Sequence, residues 1–248
     1  MAITLTMFAL GMLLGFVGAG GSGFIIAILT TVFGVPIHLA LGTALAAMVF
    51  STLSGAYSHF REGNVSVKTG IYVGIFGAVG AFFGSKIAAL IDVQTLQWLT
   101  AGMLFLSSVV LIIRLFVVKK MQENGKSFSA AGFSIQKAAA VGIMTGLLSG
   151  TFGIGSTPFI QIGLLMVLGL PLTQAVGTTM LVILPIALSG GTGYYLEGNL
   201  DFLLLLQVVA GTMLGSYVGA KFTRLAPQMI LKSAMVLSPF TAGVVMLI

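Results

Sequence analysis

Two short stretches concentrate the residues able to handle a small solute: Gly18-Ala19-Gly20-Gly21-Ser22-Gly23 and Gly153-Ile154-Gly155-Ser156-Thr157-Pro158. Each interrupts an apolar run of about thirty residues, 3–33 and 137–168, which is long for one membrane crossing of roughly 20 residues. Backbone can leave the helix at membrane depth only where protein or a water-filled cavity satisfies its polar groups. The breaks therefore predict pairs of half-helices around a binding site. Ser156-Thr157-Pro158 reads as a helix start, with Thr157 as N-cap and Pro158 at the first helical position. Its free N–H groups and dipole would favour an anion. Ser22 is the counterpart in the first half, and Gln161 lies one turn inside the second half-helix. The candidate substrate-binding residues are Gly20, Gly21, Ser22, Gly23, Gly153, Gly155, Ser156, Thr157 and Gln161, joined by Thr43 and Thr178 on the helices that follow.

These stretches match because the chain is a duplication. Of the 80 positions from Gly11 to Leu90, 25 recur identically 135 residues on, without a gap. Gly34-Val35-Pro36 falls on Gly169-Leu170-Pro171, Gly42-Thr43 on Gly177-Thr178, and Glu62-Gly63-Asn64 on Glu197-Gly198-Asn199. Shared Pro, Glu, Asn and Lys in unbroken register exceed what apolar composition gives by chance. The period is too long for a solenoid unit and suits half of a transporter.

Composition sets the class. Hydrophobic residues make up 58% of the 248 and charged residues 6%, with a mean hydropathy of +1.15; so little polar surface cannot clothe a soluble globule. The chain reads as an all-α polytopic membrane protein, with the lipid bilayer as its surroundings. A net charge of +6 comes from eleven Lys and Arg scattered at segment ends, where they act as topology signals rather than a nucleic-acid surface. Absence of cysteine rules out disulfides and thiolate chemistry. There is no Walker loop and no H-E-x-x-H, so the chain offers no ATP-driven pumping or metalloprotease chemistry of its own, and no cofactor is expected.

The remaining apolar segments read as 37–58, 67–90, 95–118, 172–194, 202–223 and 228–248. This gives an N-terminal membrane repeat over 1–118, a basic linker over 119–136 and a C-terminal repeat over 137–248. The linker, beginning Lys119-Lys120-Met121-Gln122-Glu123 and flanked by Arg114 and Lys137, is expected in the cytoplasm. If each glycine-broken segment enters and leaves on one side, the halves form an inverted-topology repeat with both termini outside. That arrangement places Arg61, Lys68, Lys221, Arg224 and Lys232 inside, and Lys86, Asp92, Glu197 and Asp201 outside. Lys86 and Lys221, matched across the repeat, could serve as counter-charges to an anion or snorkel to headgroups.

Gly20-Gly21-Ser22-Gly23 also fits the short G-x-S-G pattern that resembles the nucleophile site of rhomboid proteases, with His38 or His59 as a conceivable base. The duplication accounts for the same residues without a nucleophile, because the matched position reads Gly155-Ser156-Thr157-Pro158.

A Gly-rich break followed by Gly34-Val35-Pro36 with Ala40-x-Gly42-Thr43, and again by Gly169-Leu170-Pro171 with Ala175-x-Gly177-Thr178, resembles the TauE/SafE family of sulfite and organosulfonate transporters. Gly80-xxx-Gly84 and Gly215-xxx-Gly219 agree, and the resemblance covers nearly the whole chain. It implies a bacterial or archaeal inner-membrane permease moving small sulfur-containing anions such as sulfite, sulfonates or sulfoacetate. Alternating access around a midplane site is the implied mechanism, with an uncoupled anion channel as the rival.

Overall fold

The computed structural model describes residues 2–17, 22–123, 134–154, 156–223 and 228–247. The described residues form helices and no strands. The first half supplies α1 (Ala2–Val17), α2 (Ser22–Thr31), α3 (Ile37–Arg61), α4 (Val67–Leu90) and α5 (Val93–Glu123). The second half repeats the order with α6 (Ile135–Phe152), α7 (Thr157–Ile162), α8 (Leu172–Leu196), α9 (Phe202–Thr223) and α10 (Gln228–Leu247). A π-helical turn over Gly163–Val167 continues α7. Five of these helices are long and apolar enough to cross a membrane. Helix α5 runs on through Lys119 and Lys120 to Glu123, so the helix continues past the linker boundary expected at residue 118.

Helix boundaries follow local chemistry. Pro36 and Pro171 stand just before α3 and α8, where a residue without an N–H leaves no helical bond unmade. Glu62-Gly63 and Glu197-Gly198 end α3 and α8, with the glycines at φ of 72° and 74°, left-handed backbone that a side chain would strain. Asp92 opens α5 by accepting the Thr95 N–H at 2.8 Å, and that bond holds its carboxyl below the usual carboxylate range. Asp201 opens α9, its Oδ1 accepting the Leu203 N–H at 2.7 Å.

Glycine places the helices. Along α4, Gly77, Gly80 and Gly84 let α6 approach until backbones touch; a Cβ added to Gly80 would lie 2.5 Å from the Ile143 carbonyl oxygen, and one on Gly142 2.5 Å from that of Val73. The same seam recurs between α1 and α9, where a Cβ on Gly211 would meet the Thr4 oxygen at 2.6 Å and one on Gly11 the Thr212 oxygen at 2.7 Å. Lipid gives no hydrophobic drive for helices to associate, so close van der Waals approach over small residues must supply it. In each seam the first helix of one half lies on the fourth helix of the other, and the halves interlock.

These contacts also fix direction. Gly142 sits by Val73, Gly146 by Gly77 and Gly150 by Ala81, so α6 runs parallel to α4. By the same test α1 is parallel to α9, and α4 to α8. Helix α3 runs antiparallel to α8, Gly42 meeting Tyr194 and Gly177 meeting His59. Counterpart helices α3 and α8 therefore point in opposite directions, and the seams carry the same relation to α1 with α6 and α4 with α9. Since α6 and α8 share a direction, the segment between them must bring the chain back, and Gly163 indeed packs on Val141 of α6. Helix α2 makes the equivalent return between α1 and α3.

Two ends of the bundle result. One carries Lys86, Asp92, Glu197 and Asp201, and the other carries Arg61, Lys68 and the C-terminal end of α5. At the first end Lys86 Nζ lies 2.7 Å from Glu197 Oε1, a link from one half to the other. His38 Nε2 sits 3.0 and 3.1 Å from the carbonyl oxygens of Ala88 and Ile91, bonds it makes as an N–H donor at the end of α4, where the Ala88 carbonyl also accepts the Ile91 N–H. The fully buried Tyr194 donates to the Gly150 carbonyl at 2.9 Å and ties the end of α8 to the end of α6.

Candidate functional site

The returning segments α2 and α7 meet α5, α8 and α10 around a cavity of about 100 Å³. A buried water needs about 10–15 Å³ on that measure, so the space holds several waters or a small solute. Gly23 and Phe24 line it from the first half, and Ile154, Thr157, Pro158 and Gln161 from the second. Leu104, Ser107, Leu111 and Arg114 form one wall along α5, their spacing of three, four and three residues keeping them on one helix face. Met235, Ser238 and Pro239 of α10 face it. Pro239 cannot donate to the Met235 carbonyl, and the Ser238 hydroxyl donates there instead at 3.3 Å.

The polar atoms here are unusual. Buried polar groups are nearly always hydrogen-bonded, yet Arg114 Nε, Thr157 Oγ1 and Gln161 Oε1 are buried and have no partner. Ser22 Oγ, beside Gly23, and Ser156 Oγ, beside Thr157, are in the same condition. Ser22, Ser156 and Gln161 are 1%, 0% and 5% exposed, so bulk water does not reach them freely. Among the described residues lining the cavity, Arg114 carries the one charge and none is acidic.

Several expected site residues come together here: Gly23, Thr157 and Gln161 line the cavity, with Ser22 and Ser156 adjoining. Gly20, Gly21 and Gly155 lie outside the described residues, as does the side chain of Lys221. The helix start differs by one residue from the expected one. Ser156, at φ 45°, is the N-cap of α7, because its carbonyl accepts the first helical bond from the Ile160 N–H at 2.9 Å. Thr157 is thus the first helical residue, and its hydroxyl caps nothing. Gly153 ends α6 in left-handed backbone, φ 64°, packed on Leu41.

Other candidates stand elsewhere. Thr178 Oγ1 accepts the Ser66 N–H at 2.9 Å, bracing the start of α4. Thr43 is fully buried and unpartnered, but away from the cavity walls. Lys86 is committed to Glu197 and to the ring of Phe82, 5.4 Å away, and does not line the cavity. Neither histidine has Ser22 among its bonded partners: His38 bonds the end of α4, and His59 Nδ1 lies 3.8 Å from Glu62. Arg114 is the residue that sequence reasoning missed, having been grouped with the basic linker. Its signal was there: a lone arginine within an apolar run, on the face that also carries Ser107.

Comparison with known proteins gives a consistent result. The family model described as Sulfite exporter TauE/SafE matches residues 3–246. The chain is 56% identical over its whole length to the whole of a probable membrane transporter protein, YdhB, of Bacillus subtilis (strain 168). It is 29% identical to a probable membrane transporter protein of Xylella fastidiosa (strain 9a5c), covering 84% of this chain and 79% of that one. The archaeal probable membrane transporter protein MJ0441 of Methanocaldococcus jannaschii is 28% identical, over 78% of this chain and 71% of its own. No solved structure matches.

Proposed function

The chain belongs to the sulfite exporter TauE/SafE family of membrane transporters, and on that premise we propose that it carries small sulfur-containing anions such as sulfite, sulfonates or sulfoacetate across the cell membrane. The observation that carries this reading is the cavity bounded by return segments of both halves, holding a guanidinium and unpartnered hydroxyl and amide atoms. Such groups offer charge-assisted bonds to an oxyanion, shorter and stronger than neutral ones.

The mechanism is alternating access between two halves forming an inverted-topology repeat. The opposite courses of α3 and α8 support it, since two inverted halves can exchange conformations and so exchange which side is open. Among the described residues of the cavity wall none is acidic, so none of them offers a starting group for a proton relay. An anion leaving a negative-inside cell already gains about 2.3 kcal/mol per charge per 100 mV, which drives export without a coupled ion.

Thr157→Val keeps the shape of the side chain and removes its hydroxyl. The expected outcome is anion affinity lowered roughly 10-fold, one hydrogen bond to a charged group being worth about 1.5–3 kcal/mol, with thermal stability unchanged. Isothermal titration of the purified protein measures both the affinity and the stoichiometry; equal affinity in the variant would remove Thr157 from the site.

A further inference from the structure

We propose that Ser22 and Thr100 hold the solute in the alternate state of the carrier, as polar contacts of a counterpart cavity on the side of the bundle away from the linker; this rests on the alternating-access reading above. The duplication reaches the last helix of each half, since α5 and α10 begin 135 residues apart, at Val93 and Gln228. Phe105 and Phe240, identical and matched across the repeat, stack edge to face with ring centroids 5.2 Å apart. A residue that touches its own counterpart lies beside the axis relating the halves. The cavity adjoins that axis, because two matched pairs line it, Gly23 with Pro158 and Leu104 with Pro239.

From the axis the cavity extends to one side. Leu104, Ser107, Leu111 and Arg114 follow α5 toward the linker, and Met235 precedes Pro239 by one turn on α10. Helix α10 is antiparallel to α5, the Gln97 amide donating to the Met246 carbonyl at 2.9 Å, so Met235 is on the linker side as well. Its counterpart Thr100 therefore lies beyond the axis, toward the end that carries Lys86. Ser22, Leu41, Leu45 and Thr100, the counterparts of Thr157, Val176, Met180 and Met235, are all at most 1% exposed. One set lines a cavity while the matched set is packed shut.

When inverted halves exchange conformations, each residue takes up the surroundings of its counterpart. Ser22 and Thr100 then face the solute, and their present condition is suited to that. Ser22 Oγ and Thr100 Oγ1 are buried without a hydrogen-bond partner, a costly state for a hydroxyl. Ser108 of the same helix donates instead to the Leu104 carbonyl four residues back, at 3.2 Å. The Thr100 hydroxyl is not spent in this way and stays free for a solute oxygen.

Because the chain has no cysteine, single cysteines report access directly. Full-length Thr100→Cys and Met235→Cys are treated with a membrane-impermeant, negatively charged methanethiosulfonate, in intact cells and in inverted vesicles. The two positions are expected to react from opposite faces of the membrane, each at least about 10-fold faster from its own face. Methanesulfonate added at that face should slow both. In protein that moves methanesulfonate, reaction of both positions from one face, no reaction at Thr100→Cys, or a Thr100→Cys rate unchanged by saturating methanesulfonate would each overturn the proposal. If Thr100→Cys does not fold, Ser22→Cys decides, since it should give the same pattern. The anion reading fails separately: opposite-faced reactivity in protein that moves no sulfur-containing anion would keep the counterpart cavity and remove the solute assigned to it.

Discussion

Gly146→Leu is expected to prevent assembly of the helix bundle. Gly146 lies where α6 crosses α4, and a Cβ built there falls on the carbonyl oxygen of Gly77. The obstacle is backbone, which cannot turn aside as a long side chain would. Its neighbours in the seam are no freer, since Cβ atoms on Gly80 and Gly142 would also meet backbone, at 2.5 Å. Overpacking a core by a few atoms costs about 1–3 kcal/mol when side chains can adjust, and here whole helices must separate, taking with them the contact that holds them together in lipid. The measurement is the fraction of monodisperse protein after extraction, with its melting temperature. Gly102→Leu is the control: nothing lies within 4 Å of a Cβ at that position on α5, so this variant should purify and melt as wild type does. Equal behaviour of the two variants would show that the glycine seam does not hold the fold.

Joining positions 86 and 197 covalently is expected to stop transport while leaving anion binding intact. Lys86 and Glu197 come from different halves and meet at the end of the bundle away from the linker. Their exposure, 43% and 32%, means that the ion pair contributes only about 0–1 kcal/mol, so Lys86→Ala alone should change transport little. A tether is different, because alternating access requires this end to open once per cycle. The duplication places Glu62 and Lys221 as the counterpart pair at the opposite end; there Glu62 accepts from Asn64 Nδ2 at 3.1 Å. The chain has no cysteine of its own, which makes the test clean: Lys86→Cys with Glu197→Cys, treated with a reducible bifunctional reagent, should fall to background transport and recover on reduction. Undiminished transport in fully cross-linked protein would mean that the halves do not separate at this end.

The sequence showed most of the architecture because membrane helices advertise themselves. Apolar runs and their Gly and Pro punctuation placed α3, α4, α8 and α9 within a few residues, and the doubling of the glycine breaks predicted the return segments α2 and α7. Helix α5 continuing through Lys119 and Lys120 was hidden, since polarity ended the apolar run without ending the helix. Interlocking of α1 on α9 and of α6 on α4 was also out of reach: Gly-xxx-Gly spacing says that some helix comes close, not which one. In the site, residue type pointed to Thr157 and Gln161, which line the cavity, whereas the Thr178 hydroxyl goes to Ser66 and the Lys86 charge to Glu197, partners that position along the chain does not reveal. Arg114 was assigned by its charge to the linker, whereas its helical phase with Ser107 carries it into the cavity.

The central claim is that a small sulfur-containing oxyanion is carried between two alternately open states. Counterflow tests it: liposomes containing the protein and loaded with unlabelled methanesulfonate are diluted into a trace of labelled methanesulfonate at zero membrane potential. A carrier accumulates label transiently above its equilibrium level, and Arg114→Gln should abolish that overshoot. Label that only rises to equilibrium, at a rate unaffected by the internal anion, would contradict alternating access and identify an open pore.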